Sequence, residues 1–280
     1  MLVFDKIRDV REFLGQQRRN GAVIGFVPTM GALHQGHISL IEISKAHTDI
    51  TVCSIFVNPT QFNNQSDLTK YPRTPEKDIA MLEAAGCDVL YMPDVKDVYP
   101  ENDTRQFNFG YLDTILEGEH RPGHFNGVGQ VVSILLQGVE PDKAYFGSKD
   151  YQQVMVVKDL VKQLHLPTEI VACPILREAD GLAMSSRNAR LTEEERKVSA
   201  LIPLMMQEAR SIVKQEGIEK AKAYIADAVA KQPLMKLDYY DVCDAETLKP
   251  LGQYSASQKA ISLIAVFVGN IRLIDNWPVA

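Results

Sequence analysis

Along residues 1–175, short apolar runs alternate with longer stretches whose apolar positions recur at helical spacing. Short unbroken runs suit strands buried on both faces, and the three-to-four spacing suits helices with one buried stripe. Residues 22–27 predict a strand and residues 38–46 the helix after it. Residues 50–57, rich in β-branched side chains, predict a second strand. Pro75, in a first helical turn, opens a helix that runs to Ala85 and stops at Gly86. Strand-like 88–92, helical 125–137, strand-like 143–146, helical 152–164 and strand-like 168–173 continue the alternation up to Pro174. Strands separated by helix-length segments predict an α/β fold, a Rossmann-like doubly wound parallel sheet.

The pattern changes after Arg177, so the chain divides into residues 1–175 and a smaller α+β domain of residues 176–280. Thr192-Glu193-Glu194-Glu195 reads as a capping box, from which one long helix is expected to reach Gln215. Gly217 breaks it, and 218–231 reads as another helix. Segments 239–243, 260–268 and 271–274 read as strands. Polar residues 63–73 are expected to form a loop.

Composition narrows the class. An apolar fraction of 45% and a charged fraction of 24% over 280 residues are those of a globular protein with a sizeable core. A net charge of -6, from 30 basic and 36 acidic residues, argues against a nucleic-acid partner. The scattered cysteines Cys53, Cys87, Cys173 and Cys243 form no metal-spaced cluster and fit a reducing compartment. The opening residues reach charge at once, and no run has the length of a membrane span; a cytoplasmic protein without a membrane partner is expected.

Candidate chemistry concentrates where predicted strands give way to helices. Pro28-Thr29-Met30-Gly31-Ala32-Leu33-His34-Gln35-Gly36-His37 sets two histidines three apart in a first helical turn. Glycine admits close backbone approach, the helix start supplies free N–H groups, and both imidazoles can address one phosphate. Gly147-Ser148-Lys149-Asp150 repeats the strand-to-helix setting with a lysine, followed one turn on by Gln153. By itself this segment also reads as a solvated turn capped by Asp150. Met184-Ser185-Ser186-Arg187-Asn188, just past the domain boundary, offers hydroxyls and a guanidinium to a triphosphate, or is a polar linker. Asn58-Pro59-Thr60-Gln61-Phe62 carries an amide suited to a hydroxy acid, or is a plain proline turn. In 121–129 the glycines suit tight helix packing as well as a site, which leaves Arg121 and His124 open. Neither a P-loop nor a G-x-S-x-G elbow is present.

In this order and combination the segments PTMGALHQGH, IFVNPTQF, RPGHFNGV, FGSKDYQQ and LREADGLAMSSRN resemble the pantothenate synthetase (pantoate–β-alanine ligase) family. The histidine turn is also similar to the HIGH motif of nucleotidylyltransferases and class I aminoacyl-tRNA synthetases. The boundary loop is similar in role to the KMSKS loop of those synthetases, with Arg187 in place of its lysines. The resemblance implies a ligase that activates pantoate with ATP as an enzyme-bound adenylate and then transfers it to β-alanine, releasing pyrophosphate and AMP. It implies Mg2+ carried with ATP, no protein-held metal, and a homodimer formed through the N-terminal domain. On the same basis His37, His34, Lys149 and Arg187 are catalytic. Met30, Gly31, Ala32, Leu33, His34, Gln35, Gly36, His37, Gly147, Ser148, Lys149, Asp150, Leu176, Met184, Ser185, Ser186 and Arg187 line the ATP site. Gln61, Gln153 and Asn58 hold substrate, and the C-terminal domain acts as a lid. The nearest rival, a nucleotidylyltransferase with a phosphorylated acceptor, would need extra cations where this chain has neutral Gln61 and Gln153. A tRNA-acting relative conflicts with the charge balance, and a silent nucleotide sensor with the intact histidines and Lys149.

Overall fold

The computed structural model describes residues 1–62, 65–101 and 103–279 and divides into two units, residues 1–174 and 175–280. Among the described residues the first unit holds six strands: β1 (Leu2–Phe4), β2 (Ile24–Thr29), β3 (Ile50–Ile55), β4 (Val89–Tyr91), β5 (Lys143–Gly147) and β6 (Glu169–Cys173). All pair in parallel, in the order β1-β4-β3-β2-β5-β6. Its helices are α1 (Ile7–Arg19), α2 (Gln35–His47), α3 (Gln65–Lys70), α4 (Pro75–Ala84), α5 (Val95–Val98), α6 (Leu116–His120), α7 (His124–Val139) and α8 (Tyr151–Gln163).

Alternation along each strand sends neighbouring side chains to opposite faces, so a sheet buried on both sides has two cores. Phe26, Val52, Val89 and Phe146 pack with Val10 and Leu14 of α1, Val132 of α7 and Val157 of α8. Val27, Cys53, Leu90 and Tyr145 pack instead with Ile38 and Ile41 of α2 and Leu82 of α4. All four cysteines are free and buried. Among the described residues no helix is long and apolar enough to cross a membrane.

The second unit contains α9 (Glu193–Ser199), α10 (Leu201–Gln215) and α11 (Ile218–Ala230), then β7 (Met235–Asp244), β8 (Ala260–Val268) and β9 (Ile271–Pro278). The strands form an antiparallel sheet in chain order. Met206 of α10 and Ile225 of α11 share its core with Val242, Val266 and Leu273.

Several expectations change in detail. The capping box forms, with the Thr192 N–H donating to Glu195 Oε2 (2.8 Å) and the Glu195 N–H to Thr192 Oγ1 (3.2 Å). The single helix expected beyond it is two, meeting at Ala200. Pro203 has no N–H for the Ser199 carbonyl one turn back, which weakens the ladder at that join. Within the stretch expected as loop, Gln65–Lys70 is helical, while Asn63 and Asn64 lie outside the described residues. The opening strand and α1 add to the predicted alternation, and β2 runs two residues further, through Pro28 and Thr29.

Candidate active site

The strand order reverses beside β2: the chain leaves β2 toward β3 on one side, and leaves β5 toward β6 on the other. Ligands of such sheets bind outside the carboxyl ends at that switch. Here the sheet also opens. β2 pairs with β3 at six positions but with β5 only at Gly25 and Phe26. The Ile24 carbonyl accepts from Asp142, just before β5, while the Thr29 carbonyl accepts from Phe56, just after β3. By alternation Pro28 faces β5, and it has no N–H to offer that strand. The histidine turn leaves one lip of this opening and the Ser148–Asp150 turn the other.

The histidine turn is held by backbone that few residues adopt. Gly31 and Ala32 both have positive φ, 79° and 49°. Thr29 Oγ1 donates to the Ser54 carbonyl (2.8 Å) and accepts from the Gly31 N–H (3.2 Å). Asp78, 1% exposed in α4, accepts from the N–H groups of Ala32 (2.9 Å) and Leu33 (2.8 Å).

The two histidines cap α2 reciprocally. His34 Nδ1 accepts from the Gly36 N–H (3.1 Å), and His37 Nδ1 accepts from the His34 N–H (3.3 Å). Each Nδ1 is an acceptor, so each neutral ring carries its proton on Nε2. The rings lie 4.0 Å apart between centroids. Burial, reinforced by the charge of Lys149, lowers the His34 pKa to about 4. Burial, then His34, then Lys149 lower the His37 pKa to about 3. At neutral pH the site therefore presents two Nε2–H donors without positive charge, with the lysine supplying the charge nearby.

Gln61 ends a 3-10 turn, Pro59–Gln61, that follows β3. Its Nε2 lies 3.2 Å from Met30 Sδ, which joins this turn to the histidine segment. Asn58 is only 1% exposed, and its amide is used within the protein. Its Nδ2 donates to Gln61 Oε1 (3.2 Å) and the Gly127 carbonyl (3.1 Å), and Oδ1 accepts from the Tyr99 hydroxyl (2.8 Å). Asn58 thus orients Gln61 from beneath. Gly127 serves packing: a Cβ there would stand 2.4 Å from the Thr60 carbonyl oxygen. His124 Nδ1 is 2.9 Å from the Gln61 carbonyl, and Arg121 pairs with Glu117 at 3.4 Å. On α8 the adjacent glutamines differ in burial. Gln152, 2% exposed, donates to the carbonyls of Leu112 (2.8 Å) and Ile115 (3.0 Å) and accepts from the Glu117 N–H (3.0 Å). Gln153 is half-buried in the same turn, and Asp150 precedes α8 without capping it.

In the second unit the Leu176 and Met184 backbones meet, with Met184 N–H donating to the Leu176 carbonyl (3.1 Å). Arg177 anchors this hairpin by a bidentate pair with buried Asp275 (2.7 and 3.0 Å) and stacks 4.6 Å over the Trp277 ring. Ser185 caps the 3-10 turn Ser186–Arg190 by accepting from the Arg187 N–H (3.3 Å). The structure therefore gathers Met30, His34, His37, Gln61 and Lys149 around one opening of the first unit, while Leu176 and Met184–Arg187 share one loop of the second. Thr29, Asp78, Gln152 and Arg177 are supports that spacing along the chain does not reveal, because each partner lies on a different element or is backbone.

A doubly wound sheet with a histidine turn and a lysine turn at its strand-order switch is the setting in which α/β enzymes bind phosphate groups. The pantoate-beta-alanine ligase family matches residues 2–278, and the chain belongs to that family of carbon–nitrogen bond-forming ligases. It is 47% identical to pantothenate synthetase from Porphyromonas gingivalis over 99% of this chain and 98% of the relative. Identity to the Bacteroides fragilis pantothenate synthetase is 45%, with the same coverage. The crystal structure of the Thermus thermophilus pantothenate synthetase is similar with a TM-score of 0.92 at 39% identity, covering 100% of this chain and 99% of that one. The Francisella tularensis pantoate-beta-alanine ligase complexed with beta-gamma ATP and beta-alanine is similar with a TM-score of 0.80 at 37% identity, covering 100% and 98%.

Proposed function

We propose that the ATP-dependent condensation of pantoate with β-alanine runs in this chain through a pantoyl adenylate formed at the β2–β5 opening. A carboxylate oxygen of pantoate attacks the α-phosphorus, the α–β bridging bond breaks, and pyrophosphate leaves with its electron pair. The β-alanine amine then attacks the acyl carbon, the acyl–oxygen bond breaks, AMP departs and the amine loses a proton. One observation carries the reading: two histidines fixed as neutral Nε2–H donors, with Lys149 close enough to shift both. Neutral donors placed where phosphate charge grows stabilise the transition state through their Nε2–H groups without adding a net charge. Lys149 adds the charge that in-line displacement requires.

Gln61 and Gln153 are assigned to pantoate, whose hydroxyls and carboxylate suit amides, with Gln61 also near β-alanine. Asn58 is assigned to holding Gln61. Met30–His37 and Gly147–Asp150 are assigned to ATP in the first unit. Leu176 and Met184–Arg187 are assigned to ATP on the motif alone. Mg2+ is assigned to the ATP itself as its counter-ion. A cytoplasmic setting is supported by four buried free thiols. A homodimer rests on the resemblance alone, and sedimentation of the purified chain checks it.

The test is product analysis with ATP, pantoate and β-alanine, each omitted in turn, followed by single-turnover adenylation. Pyrophosphate release should require pantoate but not β-alanine, and AMP release should require all three. His37→Ala should slow adenylation by about 10²-fold, the scale of one lost transition-state donor. A folded His37→Ala at the wild-type rate removes the histidine from the mechanism.

A further inference from the structure

We propose that Asp78 is a positioning residue for adenylation, holding from α4 the left-handed turn that aims His34 and His37. The proposal rests on the reading of those histidines as transition-state donors. Asp78 stands 46 residues from the turn it grips, and both carboxylate oxygens are engaged there: Oδ2 with the Ala32 N–H (2.9 Å), Oδ1 with the Leu33 N–H (2.8 Å). Oδ1 also accepts from the Thr74 hydroxyl (3.0 Å). Thr74 is the residue before α4, the place where a hydroxyl ordinarily caps the helix, yet its side chain makes no capping bond. Its hydroxyl is directed to the carboxylate instead.

The turn needs such a restraint. Ala32 has φ 49° and Gly31 φ 79°, and the next residue but one after Ala32 is His34. A side chain at Gly31 would bring its Cβ to 3.1 Å from Asp78 Oδ2 and 3.0 Å from Ile55, so the carboxylate is fitted against bare backbone. Packing holds one end of the turn: Leu33 is 3% exposed and shares a core cluster with Leu82 of α4. At the other end, a cavity of about 280 Å³ is bordered by Met30, Gly31, Ile55, Thr74, Pro75 and Asp78, leaving free space beside Met30 and Gly31. Across that space the polar contacts fix the register of the turn. His34 is the N-cap of α2 and accepts from Gly36 through its own ring, so a shift of Ala32 and Leu33 carries both imidazoles with it.

The experiment is pantoate-dependent ATP–pyrophosphate exchange by the full chain, with Asp78→Asn measured alone and together with His37→Ala. An asparagine keeps the shape but turns an NH2 toward one of the two N–H donors. The expected result is a kcat loss on the order of 10²-fold, the scale for misplacing catalytic groups by about 1 Å, with KM for ATP and pantoate nearly unchanged. In the His37→Ala background the same substitution should cost clearly less, because only His34 is left for it to position. Losses that multiply, a wild-type kcat in folded Asp78→Asn, or a rise in KM alone would each overturn the proposal. Should Asp78→Asn not fold, Thr74→Val enters the same cycle. A kcat loss that shrinks beside His37→Ala supports the proposal, and one that persists in full or is absent overturns it. Wild-type protein that shows no pantoate-dependent exchange overturns the functional reading itself, and the proposal with it.

Discussion

Both site histidines are uncharged at neutral pH for a reason built into single residues. Burial comes first, and Lys149 adds to it in both rings. The unfolded chain has histidines near pH 6.5, whereas the folded values are about 4 and about 3. Between those limits the unfolded state binds more protons, so stability rises with pH in that window. Their contribution is complete above pH 6.5 and is lost as pH falls toward the folded values. Ring-proton NMR should therefore show His34 and His37 unprotonated from pH 8 to pH 5, and denaturant midpoints should fall from pH 6.5 to pH 4 less steeply in His37→Asn than in wild type. A ring that titrates near 6.5 in the folded protein would contradict the assigned cause. Lys149→Gln should raise both values only part of the way back, since burial is the larger cause, while slowing adenylation. These residues were legible as a motif. Their protonation was not, because it depends on which N–H each ring accepts from. Asp78 was illegible altogether: nothing in a helical Asp at that position indicates backbone donors 46 residues earlier.

At the scale of elements, Gln61, the amide proposed for pantoate, is positioned by the close approach of α7 to the turn after β3. Gly127 makes that approach possible, and the consequence can be weighed. Alanine within a helix gains up to about 1 kcal/mol over glycine. Here its Cβ would meet Thr60 O at 2.4 Å, Thr60 C at 2.6 Å and Gln61 Cα at 2.8 Å, all backbone that cannot rotate away. Overpacking of this kind costs about 1–3 kcal/mol, so the clash should outweigh the propensity. Gly127→Ala should lower the denaturation midpoint and weaken pantoate by calorimetry while sparing ATP. A variant as stable as wild type with unchanged pantoate affinity would show that the turn yields freely. Most elements follow from apolar period, because strands buried on both faces and amphipathic helices leave different spacings. What periodicity hid was continuity. The 193–215 pattern is helical throughout, yet Pro203 divides it, and β2 continues through a proline that reads as a terminator.

For the molecule as a whole, two separately cored units divide the candidate residues between them. The histidines and Lys149 belong to the first, Arg187 to the second. The doubly wound class was legible from alternation. The strand order, and with it the opening between β2 and β5, was not, because register and Pro28's facing arise only when strands pair. The assignment of Arg187 to the triphosphate can be tested by separating the two half-reactions. Arg187 lies in the Ser186–Arg190 turn, whose cap is Ser185, just after the hairpin that the Arg177–Asp275 pair anchors. If its guanidinium serves the triphosphate, its value ends when pyrophosphate leaves. Arg187→Ala should then slow pyrophosphate formation from ATP and pantoate by about 10²-fold, the cost of one electrostatic transition-state contact. The amide-forming half-reaction, started from preformed pantoyl adenylate and β-alanine, should stay near the wild-type rate, since no pyrophosphate remains to be neutralised. Rapid-quench measurement of the two half-reactions separates these outcomes. Equal losses in both would mean that Arg187 supports the second unit's loop as a whole, and its assignment to the triphosphate would fall.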